Sequence, residues 1–307
     1  MTTTKTLVET RHALSEDEHP IVGALIGAVH ELFKNPPGNQ RETYDVLMAK
    51  TPIADGVTLE EVDHDGVKGW WVRPTGAPAD RAILYLHGGA FMVGSAKAFR
   101  GLASQVAVRA GVATFVADYP LAPEQPFPAA PDATAAIHRW LGAQGVTKVA
   151  LVGDSAGAAL ALSLLDDAAT AVPKIASIAL LSPWVDLALT GASASSPDVR
   201  DPIFFMPGML AGSAGAYLAG VDPKNGRASP LYAIPETLPP LFIQVGVNEV
   251  LLDDARRYAQ AAGEKGGEVH LHIFEGLHHV FQNGAKDLPA ARRALDDVAA
   301  FLNRHWA

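Results

Sequence analysis

Lys148–Leu165 reads KVALVGDSAGAALALSLL. Val149-Ala150-Leu151-Val152 is a short, unbroken apolar run, the pattern of a strand buried on both faces. From Ala156 onward, alanine and leucine dominate, and their propensities specify a helix. Between the two stands Gly153-Asp154-Ser155-Ala156-Gly157, a serine inside G-x-S-x-G. In strand–turn–helix context this is a nucleophile elbow, a tight turn that lifts the Ser155 hydroxyl clear of the sheet. The glycines permit the turn and let strand and helix pack without intervening side chains. The Ala156 N–H then lies at a helix N-terminus, where a developing oxyanion is stabilised. The competing reading is a glycine-rich turn with an incidental serine. A working nucleophile needs a base and an oxyanion hole from elsewhere in the chain.

Outward from this stretch, strands and helices alternate. Val57–Val62 and Val67–Arg73 read as a hairpin across the polar turn His64-Asp65-Gly66. Strands follow at Arg81–Leu86 and Val112–Ala117 with helix Gly101–Arg109 between them, then helix Ala129–Leu141 before the elbow strand. After the elbow come strands Ser177–Leu181, Leu241–Val245 and Val269–Phe274, with helices Leu252–Ala262 and Leu288–Asn303. Eight strands with an antiparallel start and a βα remainder predict an α/β sheet, mostly parallel and covered by helices on both faces.

Two segments fall outside this alternation. Glu16–Phe33 carries apolar residues at helical spacing and stops at Pro36-Pro37-Gly38. The stretch from Trp184 to Pro240 offers no clear strand but a cluster of bulky side chains, including Phe204, Phe205, Met206 and Met209. A long insertion after the C-terminal end of a strand lies over the ligand crevice of such a sheet. These segments are therefore expected to form a helical cap from residues 1–50 and 186–230, over a catalytic domain of 51–185 and 231–307. The alternative is a peripheral helical hairpin without a role at the crevice.

Composition excludes several classes. Over 307 residues, 49% are apolar, enough for a substantial core, and a net charge of −9 without a basic run argues against a nucleic-acid partner. Zero cysteines rule out disulfides, thiolate catalysis and cysteine-bound zinc, and suit a reducing compartment. The N-terminus has no apolar core of a signal peptide, and Ile21–Val29 is too short to span a bilayer. A cytoplasmic protein without a membrane partner is expected.

Two further motifs carry chemistry. His87-Gly88-Gly89-Ala90 directly follows the strand ending at Leu86, and glycines there leave bare N–H groups able to face a carbonyl oxygen. Asp118–Ala130, with four prolines, forms a rigid loop between strand and helix. With HGGA, DYPLAPE and GDSAG in this order, and with Ser182-Pro183-Trp184 and Ser229-Pro230-Leu231-Tyr232, the chain resembles the bacterial hormone-sensitive-lipase-like carboxylesterases (family IV). The resemblance covers nearly the whole chain and is weakest over the first fifty residues. Ala90 stands where that family usually has a third glycine, yet it still offers its N–H.

The resemblance implies an α/β-hydrolase fold and hydrolysis of short- to medium-chain acyl esters by a serine–acid–histidine triad. No metal or organic cofactor is implied, the partner is a small-molecule ester, and relatives often form homodimers. The histidine block is Gly276-Leu277-His278-His279-Val280-Phe281, and the alignment favours His279 over His278. The oxyanion hole falls on Gly88, Gly89, Ala90 and Ala156; Trp184, Phe205 and Met209 are expected to line the substrate pocket. The family places its aspartate two residues beyond the glycine after the Leu241–Val245 strand. Here that position is Asn248, which can orient an imidazole but cannot neutralise an imidazolium. Glu249 and Asp253 are the nearby carboxylates, although Asp253 also suits the positive end of the helix that follows. Asn248 is the expected occupant of the acid's place, with those two as alternatives. It also leaves open a binding protein of the same fold that has lost catalysis, as the plant gibberellin receptors, which resemble this family, exemplify. His270, His272, His278 and His279 could be read as metal ligands, but no H-E-x-x-H pattern accompanies them and no metal site is expected.

Overall fold

The computed structural model describes residues 7–167, 172–195, 201–203 and 208–306. Among them, nine strands form one sheet. They are β1 (Leu7–His12), β2 (Val57–His64), β3 (Val67–Pro74), β4 (Arg81–Leu86), β5 (Thr114–Asp118), β6 (Lys148–Asp154), β7 (Lys174–Leu181), β8 (Leu241–Gly246) and β9 (Val269–Phe274). Their spatial order is β1-β9-β8-β7-β6-β4-β5-β3-β2. Only the β2–β3 and β3–β5 pairs are antiparallel.

Side chains of the central strands alternate between two cores, as a period of two demands. Ala82, Leu84 and Leu86 of β4 and Val149 and Leu151 of β6 join the core that contains α4 (Ala129–Ala143), α5 (Ala156–Asp167) and α8 (Leu252–Glu264). Ile83, Tyr85, Ala150 and Val152 join the opposite core beneath α3 (Ala96–Ala110) and α9 (Pro289–Arg304). Helix α3 starts at Ala96, ahead of the expected Gly101, because Ser95 caps it. The Ser95 side chain accepts from the Ala98 N–H, and Gly111 closes the helix in the left-handed region at φ 66°.

The connections fix where a site can lie. From β4 the chain runs through α3 to β5 on one side, then returns through α4 to β6 on the other side of β4. The loops leaving β4 and β6 therefore diverge at a topological switch point, where a crevice opens beyond the carboxyl ends of the strands. His87–Ala90 leaves β4 there, and Ser155 leaves β6.

The nine strands exceed the predicted eight by β1, which pairs in parallel with β9 from Leu7↔Val269 to His12↔Phe274. Its sequence, LVETRH, is too polar to signal a strand alone, because an edge strand leaves much of itself in solvent; Val8 is 49% exposed. Leu7–His12 thus belong to the sheet and not to the N-terminal part of the cap expected over residues 1–50. A second element without an apolar signature is α2 (Gln40–Met48), whose first turn is closed by a capping box of Asn39 and Glu42. The predicted N-terminal helix is α1 (His19–Lys34), preceded by a short 3₁₀ turn at Glu16–Glu18. The insertion carries α6 (Ala192–Ser195) and α7 (Met209–Leu218) and no strand among its described residues. His30 of α1 bonds the Pro202 carbonyl at 2.7 Å through Nε2, joining the N-terminal helix to the insertion. No helix among the described residues is long and apolar enough to cross a membrane.

Candidate active site

Ser155 occupies the left-handed region at φ 52°, a costly conformation for a residue with a β-carbon. The turn is held from three sides: Ser155 N–H donates to Leu181 O (2.9 Å), and its carbonyl accepts from Ala158 N–H (3.1 Å) and Trp184 N–H (3.1 Å). The glycines are required by contact. A β-carbon on Gly157 would overlap the Leu86 carbonyl, and one on Gly153 would press on the Gly157 carbonyl. Ser155 and Ala156 are both buried, the latter opening α5.

The HGGA loop abuts this turn. A β-carbon on Gly88 would overlap Asp154 Oδ2 and come within 3.1 Å of Ser155 Cβ. Gly89 (φ 120°), Ala90 (φ 54°) and Phe91 (φ 62°) all have positive φ, so Ala90 adopts the glycine-like backbone of the position it fills. Met92 and Val93 N–H groups both donate to Gly89 O, closing the loop. His87 Nδ1 bonds the Gly88 carbonyl (2.7 Å), and its ring stacks on Tyr119 at 4.4 Å. Tyr119 in turn donates its hydroxyl to His87 O (2.6 Å). Arg41 of α2 clamps the loop to the proline-rich segment by donating to Met92 O (2.8 Å) and Ala122 O (3.0 Å). No local pattern announces Arg41 in this role; it arrives from fifty residues away.

His279 and Glu249 are buried together. His279 Nδ1 lies 2.9 Å from Glu249 Oε2. The other oxygen, Oε1, accepts from the Ser182 hydroxyl (2.8 Å) and the Gly246 N–H (2.6 Å). Ser182 Oγ also accepts from Val280 N–H (3.0 Å), so one serine ties Glu249 to the residue after His279. Burial disfavours the imidazolium of His279. The Glu249 hydrogen bond and charge, with Asp201 and Asp154 nearby, outweigh it and raise the pKa above the usual imidazole value.

The expectation that Asn248 holds the acid's place is corrected here. The Asn248 N–H donates to Leu277 O (3.1 Å) and the residue is exposed, while Glu249, one position later, is fully buried against His279. Asp253 does not take the place either: its carboxylate accepts from Ser193 N–H (2.9 Å) and links α6 to α8. His278 is buried with Nδ1 against the His279 carbonyl (3.1 Å), and burial lowers its pKa.

Of the expected pocket residues, Trp184 is fully buried beside the elbow, its ring 5.8 Å from Phe91. Phe91 stacks on Tyr217 of α7 at 3.8 Å, and Tyr217 meets Phe127 edge-on at 5.8 Å. Phe91, Tyr217 and Phe127 thus join Trp184 in one aromatic wall. Met209 is half-buried, and Phe205 lies outside the described residues. Asp154, the variable residue of the elbow motif, is buried and accepts from the Tyr85 hydroxyl at 3.0 Å. Burial pushes its pKa up to about 7 against the lowering effects of Tyr85, a charged His279 and the Gly88 amide. No hydrogen bond of ordinary geometry reaches its Oδ2.

A strained serine between sheet and helix, together with a buried histidine–carboxylate pair on the same fold, defines a hydrolase of the α/β class. Residues 83–283 match the family described as the alpha/beta hydrolase fold. An acetyl-hydrolase of Streptomyces hygroscopicus is 42% identical over 237 residues, 76% of this chain and 78% of its own length. An esterase of Acinetobacter venetianus is 33% identical over 270 residues, 86% and 88% of the two chains. The crystal structure of an esterase from the bacterial hormone-sensitive lipase family superposes with a TM-score of 0.88 at 35% identity, covering 94% of this chain and 99% of that one. The chain belongs to the hormone-sensitive-lipase-like family IV esterases of the α/β-hydrolase superfamily, and is a serine carboxylesterase.

Proposed function

We propose that Ser155, His279 and Glu249 form the catalytic triad and that the preferred substrates are short-chain, chiefly acetyl, esters. The observation that carries the triad is the 2.9 Å contact of His279 Nδ1 with a fully buried glutamate. Ser155 Oγ attacks the ester carbonyl as His279 Nε2 takes its proton, and Glu249 stabilises the imidazolium through Nδ1. The tetrahedral oxyanion is received by the N–H groups of Gly89, Ala90 and Ala156, while the Gly88 amide leans toward Asp154. His279 then protonates the leaving alcohol, and a water activated by the same histidine resolves the acyl-enzyme. A catalytically silent binding role has no basis in this arrangement, since the base has a carboxylate partner.

Acyl length is limited by the wall of Trp184, Phe91, Tyr217 and Phe127, which packs against the elbow with little space to yield. The acetyl-hydrolase relative points the same way. Helix α1 and the insertion act as a two-part cap over the crevice, held together by His30 and Pro202. We further propose a cytoplasmic location and, on the family resemblance, a homodimer; cell fractionation and sedimentation test these proposals. The functional test is kcat/KM across p-nitrophenyl esters of increasing acyl length. It should be highest at acetyl to butyryl and fall steeply beyond, with a burst of p-nitrophenol from the acetate. A palmitoyl ester as the best substrate would overturn the pocket assignment.

A further inference from the structure

At the β1 edge of the sheet, away from the switch point, three metal-ligating side chains converge. Among the described residues, His12, His272 and Asp297 form a group in which one donor atom of each lies within 4.8 Å of the others. His12 Nε2 stands 3.0 Å from His272 Nδ1, and His272 Nδ1 stands 3.6 Å from Asp297 Oδ2. Ligand atoms held about 2.0–2.1 Å from a tetrahedral zinc ion stand about 3.3 Å apart. The two observed spacings bracket that edge length.

The convergence follows from register. Parallel pairing sets Thr10 opposite His272 and His12 opposite Phe274, so His12 lies diagonally across from His272 on one face of the sheet. Helix α9 packs on that face through Val298 and Phe301, with Phe242 and Phe274 in the same core, and delivers Asp297. Both imidazoles are oriented by aromatic neighbours. His12 stacks on Phe274 at 4.3 Å and 9°, and His272 meets Phe242 edge-on at 4.6 Å. Much of the side-chain freedom that binding an ion would remove is therefore already lost.

His272 Nδ1 is within hydrogen-bond distance of His12 Nε2 and also faces the Asp297 carboxylate, which that bond leaves out. Its 3.6 Å distance to Asp297 is too long for a hydrogen bond. A cation satisfies all three donors together. A cavity flanks the cluster on each side. One, of about 270 Å³, is lined by His12; the other, of about 250 Å³, is lined by His272 and Asp297. Arg293 is near enough to oppose a cation, but its guanidinium is engaged by Glu18 at 2.9 Å.

We propose that His12, His272 and Asp297 bind a divalent transition-metal ion of the zinc class, completed by water, which ties the edge strand β1 to β9 and α9. Two imidazoles and a carboxylate are a donor set suited to zinc. The ligands lie on three elements brought together only by folding, so the ion binds the folded chain in preference to the unfolded one.

The test uses the full chain, stripped with chelator and titrated with zinc chloride by calorimetry. One ion per chain should bind. Thermal unfolding should shift upward by about 3–6 °C at a hundredfold excess over Kd. His12→Ala should weaken binding by about a hundredfold or more, since losing a ligand exceeds the 10- to 100-fold an outer hydrogen-bond partner is worth. Asp297→Asn, on the partly exposed side of α9, should weaken it without disturbing the fold as judged by circular dichroism. His279→Ala should leave it unchanged, which separates this site from the catalytic histidine. Cobalt substituted for zinc should give the intense visible bands of a four-coordinate centre, lost in His12→Ala. Failure to bind zinc at millimolar concentration, or binding unaffected by both His12→Ala and Asp297→Asn, overturns the proposal.

Discussion

The nucleophile elbow and the acid loop sit near one another in space and differ in how they are encoded. In the elbow, each functional position is dictated by its immediate neighbours. Gly153 and Gly157 are required by backbone contact, Ser155 takes the strained φ of the turn, and Ala156 opens α5. In the acid loop, Gly246–Leu252, adjacent positions compete for the same task, and nothing local decides between them. Asn248 faces solvent and Glu249 faces His279 because Leu277 O takes the Asn248 N–H, while Ser182 and the Gly246 N–H hold Glu249 Oε1. Each of those partners except Gly246 comes from another segment. A site can thus combine one part written in five consecutive residues with another settled by the assembled sheet.

The largest effect should come from the elbow. Ser155→Ala removes the attacking oxygen and should lower kcat by about a millionfold, as loss of the nucleophile does in a serine protease, with the unfolding transition preserved. Covalent labelling by an organophosphate at any residue other than Ser155 would break the assignment of that turn.

The acid loop is tested next. Glu249→Gln keeps the side-chain shape but not the charge, and should lower kcat by about 10³–10⁴ with little change in KM. Asn248→Asp should stay within about threefold of the parent enzyme, since its side chain faces solvent. The reverse ranking of these two variants would restore Asn248 to the acid's place. The pair also predicts pH dependence. His279 must be neutral to act as base, and its pKa is raised, so the acid limb of kcat/KM should lie above the usual imidazole value of about 6.5. In Glu249→Gln that limb should move toward lower pH, because the group that favours the imidazolium has gone.

A smaller loss is expected where the two regions meet the HGGA loop. Gly88→Ala would drive a β-carbon into Asp154 Oδ2 and against Ser155 Cβ, displacing the donors that follow it. Loss of about a hundredfold in kcat, comparable to removing one oxyanion donor, is expected, with substrate affinity nearly retained. An unchanged rate would mean that the loop yields without moving Gly89 and Ala90.

The smallest effect is on stability. Asp154 is held at about pKa 7 in the folded chain by burial, well above the range of an exposed carboxyl. The folded state keeps that proton where the unfolded state loses it, so this group favours folding at low pH. The advantage fades as pH rises from about 4 through about 7. Asp154→Asn should flatten this part of the stability–pH curve, measured by urea unfolding at several pH values. A curve unchanged in slope would show that Asp154 is ionised at neutral pH despite its burial.

Much of the molecule was legible in the chain. His279 is singled out by the family resemblance, whereas the strand boundaries of β4 and β9, the elbow and the HGGA loop are carried by short-range patterns, continuous apolar runs and obligatory glycines. These features depend on sterics and hydrogen bonding within a few residues, so the local sequence determines them. Three others came only from the tertiary structure. Strand β1 is too polar to declare itself and exists through its pairing with β9. Arg41 holds the HGGA loop from a helix on a separate stretch of chain. Glu249, and not Asn248, meets His279, because the direction of a side chain in an irregular loop is set by the distant groups that satisfy its backbone and its charge.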